Sequence, residues 1–143
     1  MAYHACWTQK RHLSVKFVRH TAPAKLNSGQ QAEESACQHL VSQGLTLLAR
    51  NYRCPCGELD LVMRDGQHIV FVEVRYRRHS HFGGGIESIT RSKKTKLIAT
   101  ALHYLQAHRL GNRNPARFDV IAMAPSDDTN GIQWIRNAFD AIW

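Results

Sequence analysis

A chain of 143 residues has room for one hydrophobic core and too little for two comfortable domains. Nineteen lysines and arginines against eleven acids leave a formal charge of +8, with nine histidines besides. That excess favours a polyanionic partner, most commonly nucleic acid. No apolar run approaches the roughly 20 residues that a membrane-crossing helix needs, so a helical span is excluded.

Residues 1–27 carry Lys10, Arg11, His12, Lys16, Arg19, His20 and Lys25 but no signal-peptide apolar core. They read as a flexible basic arm on a cytoplasmic protein, followed by a single domain over residues 28–143. Asn27-Ser28-Gly29 is a loop signal, and a helix is expected from near Gln30. Its apolar stripe is Ala32, Ala36, Leu40 and Val41, with Gly44 ending it as the residue past the C-cap. Glu33 and Glu34 fall in the expected first turn, where the helix dipole favours carboxylates, which is reason enough for both.

Leu45 to Arg53 reads as a first strand. Cys54-Pro55-Cys56 then sits in the loop before a hairpin. Its spacing is too close for an ordinary four-ligand zinc site, and a reducing compartment disfavours structural disulfides.

The hairpin runs from Gly57 to Arg75, two apolar strands about an Asp65-Gly66 turn signal. Asp60 and Glu73 interrupt these strands. Burying a carboxylate without a partner costs several kcal/mol, so two on paired strands need a reason. A two-residue turn at Asp65-Gly66 sets Asp60 across from Phe71 and diagonal to Glu73. A four-residue loop sets it directly opposite Glu73. Either register puts the two acids on one face, roughly 5 to 8 Å apart at Cβ, whereas a three-residue loop separates them.

From Arg75 to Lys96, seven basic residues (Arg75, Arg77, Arg78, Arg91, Lys93, Lys94 and Lys96) stand against the single acid Glu87. His79 to Gly85 is a loop leading into a second helix, with Ser88 or Thr90 as N-cap. Leu97, Ile98, Ala101, Leu102 and Leu105 form its apolar face. Glycines, a helix start and lysines together suit phosphate oxygens. Gly111 to Pro115 breaks this helix. Phe118 to Met123 is a fourth strand, Pro125 to Gly131 a turn, and Ile132 to Ile135 a short last strand. Asp119 is explained by a salt bridge with Arg117, and Trp134 and Phe139 read as core. The order α-β-β-β-α-β-β predicts an α/β fold, a central mixed sheet flanked by helices.

Carboxylates on adjoining strands, with a cation two positions after the second, suit oxygen coordination of Mg²⁺ or Mn²⁺. Such a metal polarises a phosphoryl oxygen and acidifies a bound water. The basic flank, from Arg77 and Arg78 through Arg91, Lys93, Lys94 and Lys96, would grip neighbouring phosphates in a salt-dependent way.

Gly57-Glu58-Leu59-Asp60, Phe71-Val72-Glu73-Val74-Arg75 with Arg77, and Arg117-Phe118-Asp119-Val120 together resemble the bacterial YraN family. Gly29, Glu33, Ala36, Leu40 and Gly44, then Ser92-Lys93 and Asn137-Ala138-Phe139, extend the likeness over about residues 27–140. The resemblance implies a restriction-endonuclease-like three-layer fold of the PD-(D/E)XK superfamily, related to Holliday-junction resolvases. It implies that Asp60 and Glu73 are metal ligands, that Glu33 is a helix-borne acid completing the pocket, and that Arg75 stands in the place of a catalytic lysine. Such nucleases often pair as homodimers to cut two strands. Arginine is not deprotonated near neutral pH, so Arg75 can clamp a phosphate but cannot serve as a base. The function expected is metal-dependent endonuclease action on DNA; the alternative is a non-catalytic nucleic-acid-binding module of the same fold.

Overall fold

The structure is a computed structural model and describes residues 27–76, 89–111, 113–124 and 131–141. Its elements are α1 (Ser28–Ser42), β1 (Thr46–Cys54), β2 (Gly57–Asp65), β3 (His68–Tyr76), α2 (Arg91–Ala107), β4 (Ala116–Met123) and β5 (Ile132–Phe139). The five strands form one sheet in the order β1-β2-β3-β4-β5. Neighbours are antiparallel except β3 and β4, which are parallel and joined through α2. This is the expected element order, and a mixed sheet with one helix on each face makes three layers. No helix among the described residues is long and apolar enough to cross a membrane.

Alternation of side chains along the strands divides the core into two halves. Leu61, Met63, Val70, Val72 and Ile121 pack under α1 through its Ala36, Cys37 and Leu40. Leu59, Val62, Ile69, Phe71, Phe118 and Val120 pack under α2 through its Leu97, Ala101, Tyr104 and Leu105. The helix faces differ from the sequence stripes at one position each. Val41 on α1 is 50% exposed and Leu102 on α2 is 46% exposed, while Cys37, Thr100 and Tyr104 take the buried places.

Helix α1 begins earlier than expected. The Asn27 side chain accepts the N–H of Gln30 at 2.8 Å, and the Gln30 side chain accepts the N–H of Asn27 at 3.1 Å. This reciprocal cap turns the loop-like Asn27-Ser28-Gly29 into a helix start. Gly44, with φ of 94°, closes the other end as expected. Asn27→Ala should lower stability by about 1 kcal/mol, read from a urea melt, because the Gln30 N–H loses its side-chain acceptor.

One buried polar cluster fixes the far strands. Asp119 is 1% exposed and accepts from Arg117 Nε at 3.0 Å, Trp134 Nε1 at 3.0 Å and the Asn137 N–H at 3.0 Å. The expected Arg117 salt bridge is therefore present, and Trp134 packs as core. The Asn137 contact needs a bulge in the β4–β5 pairing, where Asn137 adopts φ of 49°. Strand β5 thus runs on to Phe139, beyond the expected end at Ile135, and Phe139 stacks on Phe118 at 4.6 Å.

Candidate functional site

The hairpin turn falls one residue later than the Asp-Gly signal suggests. Asp65 pairs with His68, and Gly66-Gln67 forms the loop, with Gly66 at φ of 57°. A two-residue hairpin loop with glycine first needs that positive φ. Asp65 stays in the strand because Arg117 Nη2 on β4 holds its carboxylate at 2.7 Å, which also keeps the Asp65 carboxyl below its ordinary range. The resulting register ends at Leu61↔Val72 and is the one in which Asp60 and Glu73 come next on the two strands, reached here by a two-residue loop. That is the second of the two expected registers.

At Asp60 the strands leave their regular course. Leu59 belongs to the α2 half of the core and Leu61 to the α1 half, so the alternation breaks at the residue between them. Asn51, opposite on β1, has φ of 48°. Irregular strand geometry of this kind re-aims a side chain. Here the Asp60 carboxylate accepts the backbone N–H of Val74 at 2.8 Å, which anchors it in the fork between β2 and β3.

A cleft of about 560 Å³ opens at this fork, lined by Ser28, Gly29 and Glu33 of α1, Asp60 of β2, and Glu73 and Arg75 of β3. Its volume admits an ion with its water shell. Glu33 accepts from Asn51 Nδ2 at 3.2 Å. Because α1 starts at Ser28, no acid lies in its first turn, and helix-dipole complementarity does not account for Glu33 or Glu34. Glu34 is explained by an ion pair with Arg50. Among the described residues Glu33 has its asparagine contact and its place on the cleft wall.

Glu73 is 6% exposed, and its Oε2 has no hydrogen-bond partner among the described residues. Its Oε1 faces Lys93 Nζ of α2 at 3.3 Å and Arg75 Nε at 3.5 Å. Burial, the charge of Glu73 and, less, that of Glu33 push the Asp60 carboxyl from its ordinary 3.8 up to about 7, against the opposing Val74 hydrogen bond and Lys93. Burial is the largest of these causes, and the charge of Glu73 adds to it. Among the described residues no three His, Cys, Asp or Glu side chains close around a single point as a ready-made metal cage.

The basic residues expected to bind nucleic acid make different contacts where they are described. Arg77 and Arg78 lie outside the described residues. Arg91, Lys93, Lys94 and Lys96 occupy the first turns of α2, whose N-cap is Thr90 as expected. Lys93 turns into the cleft to meet Glu73, and Lys94 lies over the Phe139 ring at 5.5 Å. Lys96 instead borders the turn containing Cys54 and Cys56. Sequence reasoning placed Lys93 on the phosphate-binding flank and missed its contact with Glu73. Its position in the opening turn of a helix that follows β3 was the available signal. A second cleft of about 860 Å³ lies at the other end of α2, between Leu102, Arg109 and Pro115, and contains no acid.

Residues 32–123 match the model of the uncharacterised protein family UPF0102. The chain belongs to that family. It is the YraN family of the sequence resemblance. A UPF0102 protein of Stutzerimonas stutzeri is 51% identical over 115 residues, covering 80% of this chain and 96% of the relative. Another, from Nitrosococcus oceani, is 47% identical over 113 residues, covering 79% and 91%. One from Alkalilimnicola ehrlichii is 48% identical over 124 residues, covering 86% and 95%. Membership extends over most of the UPF0102 chains and leaves the basic N-terminal residues largely outside the matched region.

Proposed function

We propose that this UPF0102 protein is a metal-dependent endonuclease that hydrolyses phosphodiester bonds in DNA, built on the restriction-endonuclease-like PD-(D/E)XK plan. The observation that carries the reading is Glu73. It is a buried carboxylate with one unpartnered oxygen, set across a strand fork from a second carboxylate of raised proton affinity.

These residues fit a hard divalent cation. The donors are all oxygen, and an ion beside them would satisfy the orphaned Glu73 oxygen and displace the proton from Asp60. Asp60 and Glu73 would hold Mg²⁺ or Mn²⁺ directly. With no closed three-acid cage present, Glu33 would act through the water shell, in keeping with the few protein carboxylates that Mg²⁺ takes. When bound, the ion would supply Lewis-acid polarisation of a phosphoryl oxygen and an acidic bound water.

The chain's own residues would do the remaining work. The Val74 N–H fixes the Asp60 carboxylate at the fork. Glu33, freed from any dipole role, would receive a proton from water on the α1 side. Arg75 would hold a phosphate oxygen through its planar fork of donors, without giving up a proton. Lys93 would supply the compact ammonium that Arg75 does not, stabilising charge that develops on the phosphorus and its leaving oxygen. Arg91 and Lys94 would steady the flanking backbone.

Arginine in the lysine place favours one other reading, a non-catalytic nucleic-acid-binding module. Incubation of the purified protein with branched, single-stranded and duplex DNA plus Mn²⁺ separates the two. Metal-stimulated cleavage of any of these substrates supports the nuclease; binding without cleavage on all of them supports the module. Both readings require affinity to fall with salt, with a log–log slope of about −0.9 for each duplex phosphate neutralised. Replacing Arg91 and Lys94 with alanine should make that slope shallower by up to about 2, measured by fluorescence anisotropy across a salt series. An unchanged slope would remove these two from the interface.

A further inference from the structure

The β1–β2 turn carries chemistry that the carboxylate cleft does not use. Cys54 and Cys56 flank Pro55 there, both as free thiols, Cys54 half-buried and Cys56 exposed. The Cys54 sulfur accepts the N–H of Cys56 at 3.3 Å. The Cys56 thiol and the Gly57 N–H stand beside it as further donors, while the neighbouring Thr100 hydroxyl gives its proton to the Lys96 carbonyl at 2.8 Å. The turn sits tightly on α2, since a Cβ at Gly57 would lie 2.9 Å from Thr100 Oγ1. Cys37, by contrast, is buried under α1 at 2% exposure and held by Arg50, and burial raises its thiol.

We propose that Cys54 and Cys56 form a reactive dithiol that exchanges with small-molecule disulfides, Cys54 attacking and Cys56 resolving. The Cys56 N–H at the sulfur, with a second thiol in the same turn, stabilises a thiolate, the form that attacks. An accessible activated cysteine beside a second thiol is the arrangement that passes reversibly between reduced and oxidised states. Burial raises the Cys54 thiol, but the hydrogen bonds, led by the backbone N–H groups of Cys56 and Gly57, outweigh it and hold the group below its ordinary 9.0. The Cys56 thiol, donating to Cys54, is held above that value. The charged groups bordering the turn are Arg53 of β1, Glu58 of β2 and Lys96 of α2. Arg53 is engaged by Glu58 at 3.0 Å.

The exchange balances. The Cys54 thiolate bonds to one sulfur of glutathione disulfide, the S–S bond breaks, and the departing glutathione thiolate takes up the proton that Cys54 had released. Cys56 then loses its proton and attacks Cys54 Sγ, expelling the second glutathione as a thiol. Two protein thiols are oxidised and one small disulfide is reduced to two thiols. Reduced glutathione in excess reverses both steps.

Exposure of the full chain to glutathione disulfide, followed by mass spectrometry and peptide mapping, tests this. Wild type should lose two hydrogens and yield a Cys54–Cys56 linked peptide. Cys56→Ser should stop at a glutathione adduct on Cys54, and Cys54→Ser should gain no adduct in the same time. Alkylation of native wild type with iodoacetamide should label Cys54 before Cys56, a preference lost in urea. Equal reactivity of the two serine variants, a bond from Cys54 to Cys6, or a wild-type adduct that never resolves would overturn the proposal.

Discussion

Asp60→Asn is expected to stabilise the metal-free protein by about 2 to 4 kcal/mol above pH 7 and to have no effect near pH 4. The sign follows from the raised proton affinity. Below about pH 4 the Asp60 carboxyl is protonated in both folded and unfolded chains and contributes nothing. Between 3.8 and about 7 only the folded chain keeps the proton, so stability falls as pH rises. Above that window both states are ionised, and the whole cost of holding a carboxylate beside Glu73 is present. A displacement of that size corresponds to about 4 kcal/mol at about 1.4 kcal/mol per pH unit, an upper bound. Asparagine removes the charge and keeps an oxygen for the Val74 N–H. Urea melts of both proteins at pH 4, 6 and 8 measure it. A variant less stable than wild type at pH 8 would contradict that cost.

Glu73→Gln should reduce Mn²⁺-stimulated DNA cleavage by at least about a hundredfold, because in the proposed cleft it would weaken a direct ligand and so cost more than the 10- to 100-fold typical of outer-shell partners. Lys93→Ala should lower kcat by about 10²-fold with little change in KM, the pattern of an interaction made in the transition state. Adding Arg75→Lys to Lys93→Ala should restore part of the loss, since it returns an ammonium to the same carboxylate. If Lys93 only neutralises Glu73, Lys93→Ala would instead change stability and leave kcat intact. A plate assay of branched-duplex cleavage over a range of DNA concentrations separates these outcomes.

The central acids were legible because they break a pattern. Asp60 and Glu73 stand in strands otherwise filled with residues that pack, and parity placed both on one face. Their register was not legible, because Asp65-Gly66 is a strong local turn signal and the competing force, Arg117 on β4, is 52 residues away. Glu33 was explained away for a similarly local reason. The Asn27 cap starts α1 two residues before Gln30, which carries both glutamates past the first turn. Val41 and Leu102 match helical periodicity yet point outward, while Cys37 and Tyr104 fill the core through contacts that spacing does not reveal. Lys93 shows the limit most clearly. A long flexible side chain at a helix start suits a solvated phosphate flank, and only the packing of α2 across β3 turns it toward Glu73. Asp119 succeeded because its partner is two residues away on its own strand.

The most direct measurement of the central claim is a calorimetric titration of Mn²⁺ into the protein at pH 7, repeated in buffers of different ionisation enthalpy and with Asp60→Asn and Glu73→Gln. The predicted result is a bound ion in wild type, protons released on binding as Asp60 gives up its proton, and loss of the signal in both variants. Absence of binding in wild type, or binding that survives unchanged in both variants, would contradict the metal cleft.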